Sequence, residues 1–409
     1  MKNSYSLFFL VVLFLLTFSC KNSADKKKIP GLLVPGDYAV EFNLDTLVIP
    51  AHLRINDDGS WSFINWTEHI KVDSMQWNGN SLTAKMPLFN TIIDGIALND
   101  STFEGKWTDS SREPLYQISF TAKRSRMPVF PAAASPKKLV YEVVFSPESP
   151  VDSDRAVGMF HKYDTLLYGT FLTGSGDHRF LQGYQRGDSM TLSCFDGTHL
   201  FYYKAQIEGD KLKGKFYSGK HHSANWEGVK NENAKLNHPD SLTSLISSEE
   251  EFKFKVRDDN GDSVQFDRSK FEGKVTIVQI FGSWCPNCTD ESIFFRTLYE
   301  KYHENGLEVV PVAFERSDDF ATAKSRVLRQ FKQLGLVYPP YFGEKMGKGA
   351  AARIFSGLKD LSAYPTSIFI DKKGNVRKIH TGFYGPGTGE FYKIHTAELE
   401  SFVTNLLSE

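Results

Sequence analysis

The sequence predicts a multidomain protein: an all-β N-terminal region, a barrel or sandwich built from a repeat, followed by a C-terminal three-layer α/β sandwich. Three observations predict it. At 409 residues the chain is too long for one ordinary hydrophobic core. Up to about residue 236, short β-branched and aromatic runs are punctuated by turn signals. From Phe252 onward, strand-like runs alternate with stretches of helical spacing, the pattern of a layered α/β fold.

The first segment is a targeting sequence and lies outside the fold. Lys2 supplies a positive start, and Phe8 to Phe18 is almost wholly apolar, too short to span a bilayer comfortably. The run ends at Ser19-Cys20 and turns abruptly polar with Lys26-Lys27-Lys28. This resembles a bacterial lipoprotein signal. The resemblance implies cleavage after residues 1–19, lipidation of Cys20 and a solvated tether over 20–30. Ser19 suits the cleavage site, whereas Thr17 and Phe18 depart from the usual pattern, and plain secretion is the alternative. Either way the mature protein is expected outside the cytoplasm, where disulfides persist.

Residues 31–236 form the β-rich region. Its turns include Asp57-Asp58-Gly59, Asn78-Gly79-Asn80 and Glu208-Gly209-Asp210. The segment Asn78 to Met86 answers to Arg186 to Cys194, and Phe103-Glu104-Gly105-Lys106-Trp107 answers to Leu212-Lys213-Gly214-Lys215-Phe216. The offset is nearly constant at about 108 residues, so two related halves, about 31–128 and 137–232, are expected. They build either one large antiparallel barrel or two packed small ones. Residues 237–250, polar and containing Pro239, read as a linker, and 251–409 as the second domain.

Within 251–409, Phe252 to Val256 and Ser263 to Phe266 flank the turn at Asp258-Asp259-Asn260-Gly261. The apolar run Val275 to Phe281 is the next strand, and Asp290 to Tyr302 is helical. Leu307 to Phe314 reads as a strand and Asp319 to Leu334 as a helix. Thr366 to Ile370 and Val376 to His380 form a hairpin, and Thr396 to Leu407 is a closing amphipathic helix.

The chemistry is expected at Trp284-Cys285-Pro286-Asn287-Cys288, between strand and helix. A thiol at a helix N-terminus sees unpaired N–H groups and the positive end of the helix dipole. Both favour the reactive thiolate. Two thiols so spaced can close a small disulfide ring. Half a zinc site is the competing reading, but zinc wants four ligands and no second Cys-x-x-Cys exists in the sequence. No cofactor is implied. Apolar residues make up 41% and charged residues 24%, ordinary for a soluble protein, and the net charge of −1 gives no reason to expect nucleic acid.

The order of elements, with Trp-Cys-x-x-Cys after the central strand and Tyr364-Pro365-Thr366 before the hairpin, resembles the thioredoxin superfamily. Within it, residues 251–409 are similar to the TlpA/ResA-type extracytoplasmic thiol–disulfide oxidoreductases. The resemblance implies a thioredoxin-like fold, Cys285 as the attacking, exposed thiol and Cys288 as the resolving one. It further implies that Glu291 accepts the proton of Cys288, against the plain alternative of a first-turn Glu complementing the helix dipole. Gln279 occupies the position of a buried Asp in thioredoxin itself. Pro365 matches the family's cis-proline, Gly382-Phe383 a third wall of the substrate groove, and Trp284 its apolar floor.

The function so implied is disulfide reduction in other envelope proteins, with a membrane donor of reducing equivalents and a lipid anchor. The oxidase or isomerase direction is the alternative, as is a binding lipoprotein in which the β domain is the main part. A peroxiredoxin would need a Pro-x-x-x-Thr-x-x-Cys pattern, which is missing. Other motifs read plainly: Gly385-Pro386-Gly387-Thr388-Gly389 as a turn-rich loop, His221-His222 as ordinary histidines, and Cys194 as a buried, inert thiol in the core.

Overall fold

The computed structural model describes residues 33–112, 114–127, 135–247, 250–361 and 363–409. The signal segment, Cys20 and the tether lie outside the described residues.

Residues 36 to 230 form two separate nine-stranded antiparallel sheets. In each, the first strand pairs with the last: Gly36–Leu44 with Tyr116–Arg124, and Lys137–Phe145 with His222–Lys230. The segments related by the internal repeat hold equivalent places. Ser81–Lys85 and Ser189–Phe195 each lie three strands from the last strand of their sheet, and Thr102–Asp109 and Lys211–Ser218 lie beside those last strands. In the second sheet Asp154–Tyr163 also pairs with Leu166–Thr173, which closes it into a barrel. Of the two arrangements open to the sequence, the chain therefore adopts two packed small units.

Both sheets are filled by aromatic side chains. Trp61, Phe63, Phe103, Trp107 and Phe120 fill the first, and Phe160, Phe171, Tyr203, Phe216 and Trp226 the second. The cores are not independent. Phe195 and Leu200 belong to the second sheet yet pack into the core of the first, where the Phe195 ring lies 4.9 Å from Phe42 and 4.6 Å from Phe63.

Residues 237–250, expected to be a linker, are docked where they are described. Ser244–Leu245 pairs with Leu358–Lys359 of the C-terminal domain. Asp240 accepts from Lys378 at 2.9 Å and sits 2.7 Å from His380 Nδ1.

The C-terminal domain is built on a seven-stranded sheet. Its order is Ser263–Phe266, Phe254–Arg257, Tyr341–Phe342, Leu307–Ala313, Val275–Phe281, Thr366–Ile370, Val376–Thr381. Val275–Phe281 lies near the middle and is buried along its whole length, which explains its unbroken apolar character. It runs parallel to Leu307–Ala313 and antiparallel to Thr366–Ile370.

Among the described residues, five α-helices cover the two faces: α1 (Arg268–Phe271), α2 (Pro286–Tyr302), α3 (Phe320–Leu334), α4 (Ala350–Ile354) and α5 (Glu390–Ser408). Side chains of α2, α3 and α5 share one core with Ile277 and Phe369. Those of α1 and α4 share the other with Val278, Ile280 and Ile368. The alternation of strand side chains across the sheet produces this three-layer, thioredoxin-like sandwich. Two boundaries differ from expectation. Helix α2 begins at Pro286 rather than Asp290, and α5 begins at Glu390 rather than Thr396. The exposed Phe391 and Ile394 in its first turns obscure the amphipathic spacing.

Candidate active site

The central strand ends at Phe281 and reaches the dithiol through Gly282-Ser283-Trp284. A Cβ on Gly282 would meet Trp284 Nε1 at 2.3 Å and the Phe314 carbonyl oxygen at 3.0 Å, so only glycine fits. Trp284 Nε1 donates to that same carbonyl at 2.8 Å, which fixes the indole. Cys285 caps the N-terminus of α2, and its Sγ accepts the Cys288 backbone N–H at 3.2 Å. Pro286 occupies the first turn, where a missing N–H costs nothing. Cys285 and Cys288 are joined as a disulfide.

Opposite them the Tyr364–Pro365 peptide is cis, and the Tyr364 carbonyl oxygen lies 3.8 Å from Cys285 Sγ. Pro365 also accepts the Gly382 N–H at 2.8 Å, so the proline loop and the 382–383 loop are one unit. The Tyr364 ring meets Trp284 edge-on at 5.6 Å.

Glu291 is 0% exposed. The Gln279 amide donates to its Oε2 and the Ser367 hydroxyl to its Oε1, each at 2.9 Å. Burial pushes this carboxyl up to about 8, against the pull of those two hydrogen bonds. The side chain is thus not a solvent-facing complement to the helix dipole. Gln279 also donates to the Cys288 carbonyl at 3.4 Å, so it joins the resolving-thiol segment to the acid.

One expectation fails. The place of Cys285 at the helix start predicts exposure, but it is 6% exposed, and Pro286, Gly382 and Phe383 beside it are buried too. The N-terminal domain covers them. Gly176 forms a parallel bridge with Phe383. Asn287 Nδ2 donates to the Asp177 carbonyl at 3.2 Å. Arg179 binds Asp290 on α2 and Glu68 Oε1 at 2.8 Å. On the other flank the Arg316 guanidinium lies over Trp284 at 5.2 Å and reaches Asp109 Oδ2 at 3.3 Å and Ser111 Oγ at 3.0 Å. Sequence reasoning missed these residues. The only signal was the glycine-rich Thr173-Gly174-Ser175-Gly176-Asp177, which sits in the wrong domain to suggest an active-site contact.

The remaining candidates lie apart from the dithiol or serve the interface. The 385–389 loop holds a carboxylate rather than a phosphate: Gly385 N–H donates to Asp177 Oδ1 at 2.6 Å. Cys194 is buried in the second barrel, and burial pushes its thiol well up. His221 Nδ1 stands 3.3 Å from the Tyr116 hydroxyl. Among the described residues no group of three or more His, Cys, Asp or Glu could hold a metal ion.

Residues 248–393 match the redoxin family model. The thiol–disulfide oxidoreductase ResA of Halalkalibacterium halodurans is 28% identical over 136 residues, covering 33% of this chain and 69% of the relative. ResA of Bacillus thuringiensis is 31% identical over 123 residues, covering 30% of this chain and 62% of the relative. A thiol:disulfide interchange protein of the thioredoxin family from Chlorobium tepidum shares 21% identity, covering 40% of this chain and 99% of its own, with a TM-score of 0.29. The two ResA proteins cover about a third of this chain. Residues 248–393 thus match the redoxin family model, and the chain is similar over about a third of its length to ResA thiol–disulfide oxidoreductases.

Proposed function

We propose that the protein is a lipid-anchored reductase of disulfides in proteins of the cell envelope, with Cys285 and Cys288 as its working pair. The observation that carries this reading is the Cys285–Cys288 disulfide at the N-terminus of α2, facing the cis Tyr364–Pro365 peptide. In the reduced domain, the helix N-terminus favours the Cys285 thiolate. That thiolate attacks a substrate disulfide, forming a mixed disulfide and releasing one substrate thiolate. Cys288, deprotonated, then attacks Cys285 Sγ and releases the second. Two electrons pass to the substrate, and the domain is left as the disulfide. Glu291 takes the proton of Cys288, and its protonated form is the one that burial favours in the oxidised state.

The cycle needs a reductant to restore the dithiol, and we assign that role to a membrane donor. Anchoring would follow from lipidation of Cys20. Trapping tests the reading. Cys288→Ser should stall the mixed disulfide on Cys285, and mass spectrometry of adducts from the native envelope should identify protein partners. No adduct on Cys285 would remove the proposed exchange. A reduction potential near that of strong periplasmic oxidants would reverse the proposed direction.

A further inference from the structure

We infer that the N-terminal domain forms a two-sided collar around the dithiol and selects which disulfides reach Cys285, an inference that rests on the exchange proposed above. On one side the segment Gly174 to Arg179 lies against the groove wall. Gly176 pairs in parallel β fashion with Phe383 and so takes up backbone positions that an extended substrate would otherwise use. The approach is backbone to backbone: a Cβ on Gly382 would stand 2.8 Å from the Gly174 carbonyl oxygen, and one on Gly176 would stand 2.7 Å from that of Phe383.

Charges lock this side. Asp177 binds the Gly385 N–H and offers its carbonyl to Asn287 between the two cysteines. The buried Arg179 reaches Glu68 in the first sheet and Asp290 just past the first turn of α2. One guanidinium therefore ties both β units to the dithiol helix. Removing it would strand buried carboxylates without a counter-charge, which is strongly unfavourable for the closed interface.

The second side is smaller. Arg316 follows the strand Leu307–Ala313, stacks on Trp284 and pairs with Asp109, itself buried and held by Arg112 at 2.9 Å. Between the two grips, the residues left half-buried at the rim are Trp284, Asn287, Ala363 and Tyr364. With those backbone positions taken by Gly176, the half-buried rim is left to a small disulfide. A folded protein partner needs the collar released, so Arg179, Asp177, Arg316 and Asp109 act as specificity residues that never touch the reacting sulfurs.

The test uses the full-length protein, with dithiothreitol as reductant and two substrates, glutathione disulfide and insulin. Arg179→Met combined with Asp109→Asn should raise insulin reduction about fivefold or more, because admission scales with the open fraction. Reduction of glutathione disulfide should stay within about twofold, since its access does not depend on that fraction. Parallel changes in the two rates, or an unchanged insulin rate, overturn the collar while leaving the exchange chemistry intact. If wild type reduces neither substrate, the exchange reading itself fails. Should the double variant not fold, alkylation of the reduced wild type decides. Iodoacetamide should modify Cys285 readily and a bulky polyethylene-glycol maleimide hardly at all, and equal relative rates overturn the inference.

Discussion

The Gln279 side-chain amide donates to Glu291 Oε2 at 2.9 Å where neither residue is exposed at all. The orientation is fixed, because Gln279 Oε1 accepts from the Ser292 hydroxyl at 3.1 Å and leaves the NH2 group for the acid. Two donors on one carboxylate favour its ionised form, while burial favours the neutral one, and burial wins. An acid balanced in this way binds a proton near neutral pH yet can release it. A charged partner at position 279 would not leave that balance in place.

Glu291→Gln tests the balance thermodynamically. A carboxyl whose folded value is raised stabilises the fold fully below its unfolded value, and that contribution is lost as pH rises through the folded value. Here the window runs from the ordinary glutamate range up to about 8. Wild-type oxidised protein should lose stability across it with a limiting slope of about 1.4 kcal/mol per pH unit. The Gln variant should show a flatter profile. Denaturant unfolding at a series of pH values checks this, and identical profiles would remove the buried acid from the account.

The same substitution has a kinetic consequence. If Glu291 takes the proton of Cys288, resolution of the mixed disulfide should slow by about a hundredfold in Glu291→Gln, within the usual range for losing a general base. The attack by Cys285 should be little changed. Stopped-flow separation of the two steps reads the difference, and equal slowing of both would sink the assignment.

Much of this domain was legible in the sequence because its signals are local. Val275–Phe281 is buried on both faces, so its apolar run has no polar interruptions other than Thr276 and Gln279. The hairpin around Asp371 to Asn375 is set by a turn in which Asp371 Oδ1 accepts from Lys373 and Asn375 at 2.9 Å. The internal repeat reads through because equivalent strands need the same turns. What was not legible depends on contacts far apart in sequence. Closure of the second barrel rests on pairing of Asp154–Tyr163 with Leu166–Thr173, which local patterns do not announce as different from any other hairpin. The burial of Cys285 depends on Gly176 and Arg179, more than a hundred residues away by number and in another domain.

Asp240 shows that the connecting segment is part of the fold. Burial works against its charge, yet hydrogen bonds from His380 and Lys378 hold it down at about 2. A depressed carboxyl stabilises the fold above its unfolded value, and the gain is lost as pH falls through the folded value. Asp240→Asn should therefore cost about 2 kcal/mol at neutral pH, with most of that cost gone by about pH 2. Thermal or denaturant unfolding of both proteins at the two pH values tests it. A constant difference would mean that the ion pairs contribute nothing.

Phe195 couples the two β units through one ring. It extends from the second sheet into the core of the first, meeting Trp107 edge-on at 5.3 Å as well as Phe42 and Phe63. Phe195→Ala should cost about 3–5 kcal/mol, the range for removing a buried aromatic side chain. Because the second sheet carries the ring and the core of the first holds it, the two sheets should melt earlier together. Calorimetry that shows only one of two transitions shifted would mean that the units are stable independently of each other.

Asp290 joins the redox helix to the N-terminal domain, and its titration should be visible in the closed interface. Burial pushes its carboxyl up to about 6, with Arg179 pulling down and Asp177 and Glu68 adding to the rise. Burial also raises Glu68 and Asp177, whereas Asp196, paired with His199 and Arg179, is lowered. Acids raised in the closed state favour closure at low pH, and that preference is lost as pH rises through about 6. Alkylation of reduced Cys285 by a bulky polyethylene-glycol maleimide, which the closed collar excludes, should therefore accelerate between about pH 5 and 7 beyond the ionisation of the thiol itself. Asp290→Asn removes one titrating group while keeping the side chain's shape, so the extra acceleration should shrink. If it persists unchanged in the variant, the interface does not open through this carboxylate.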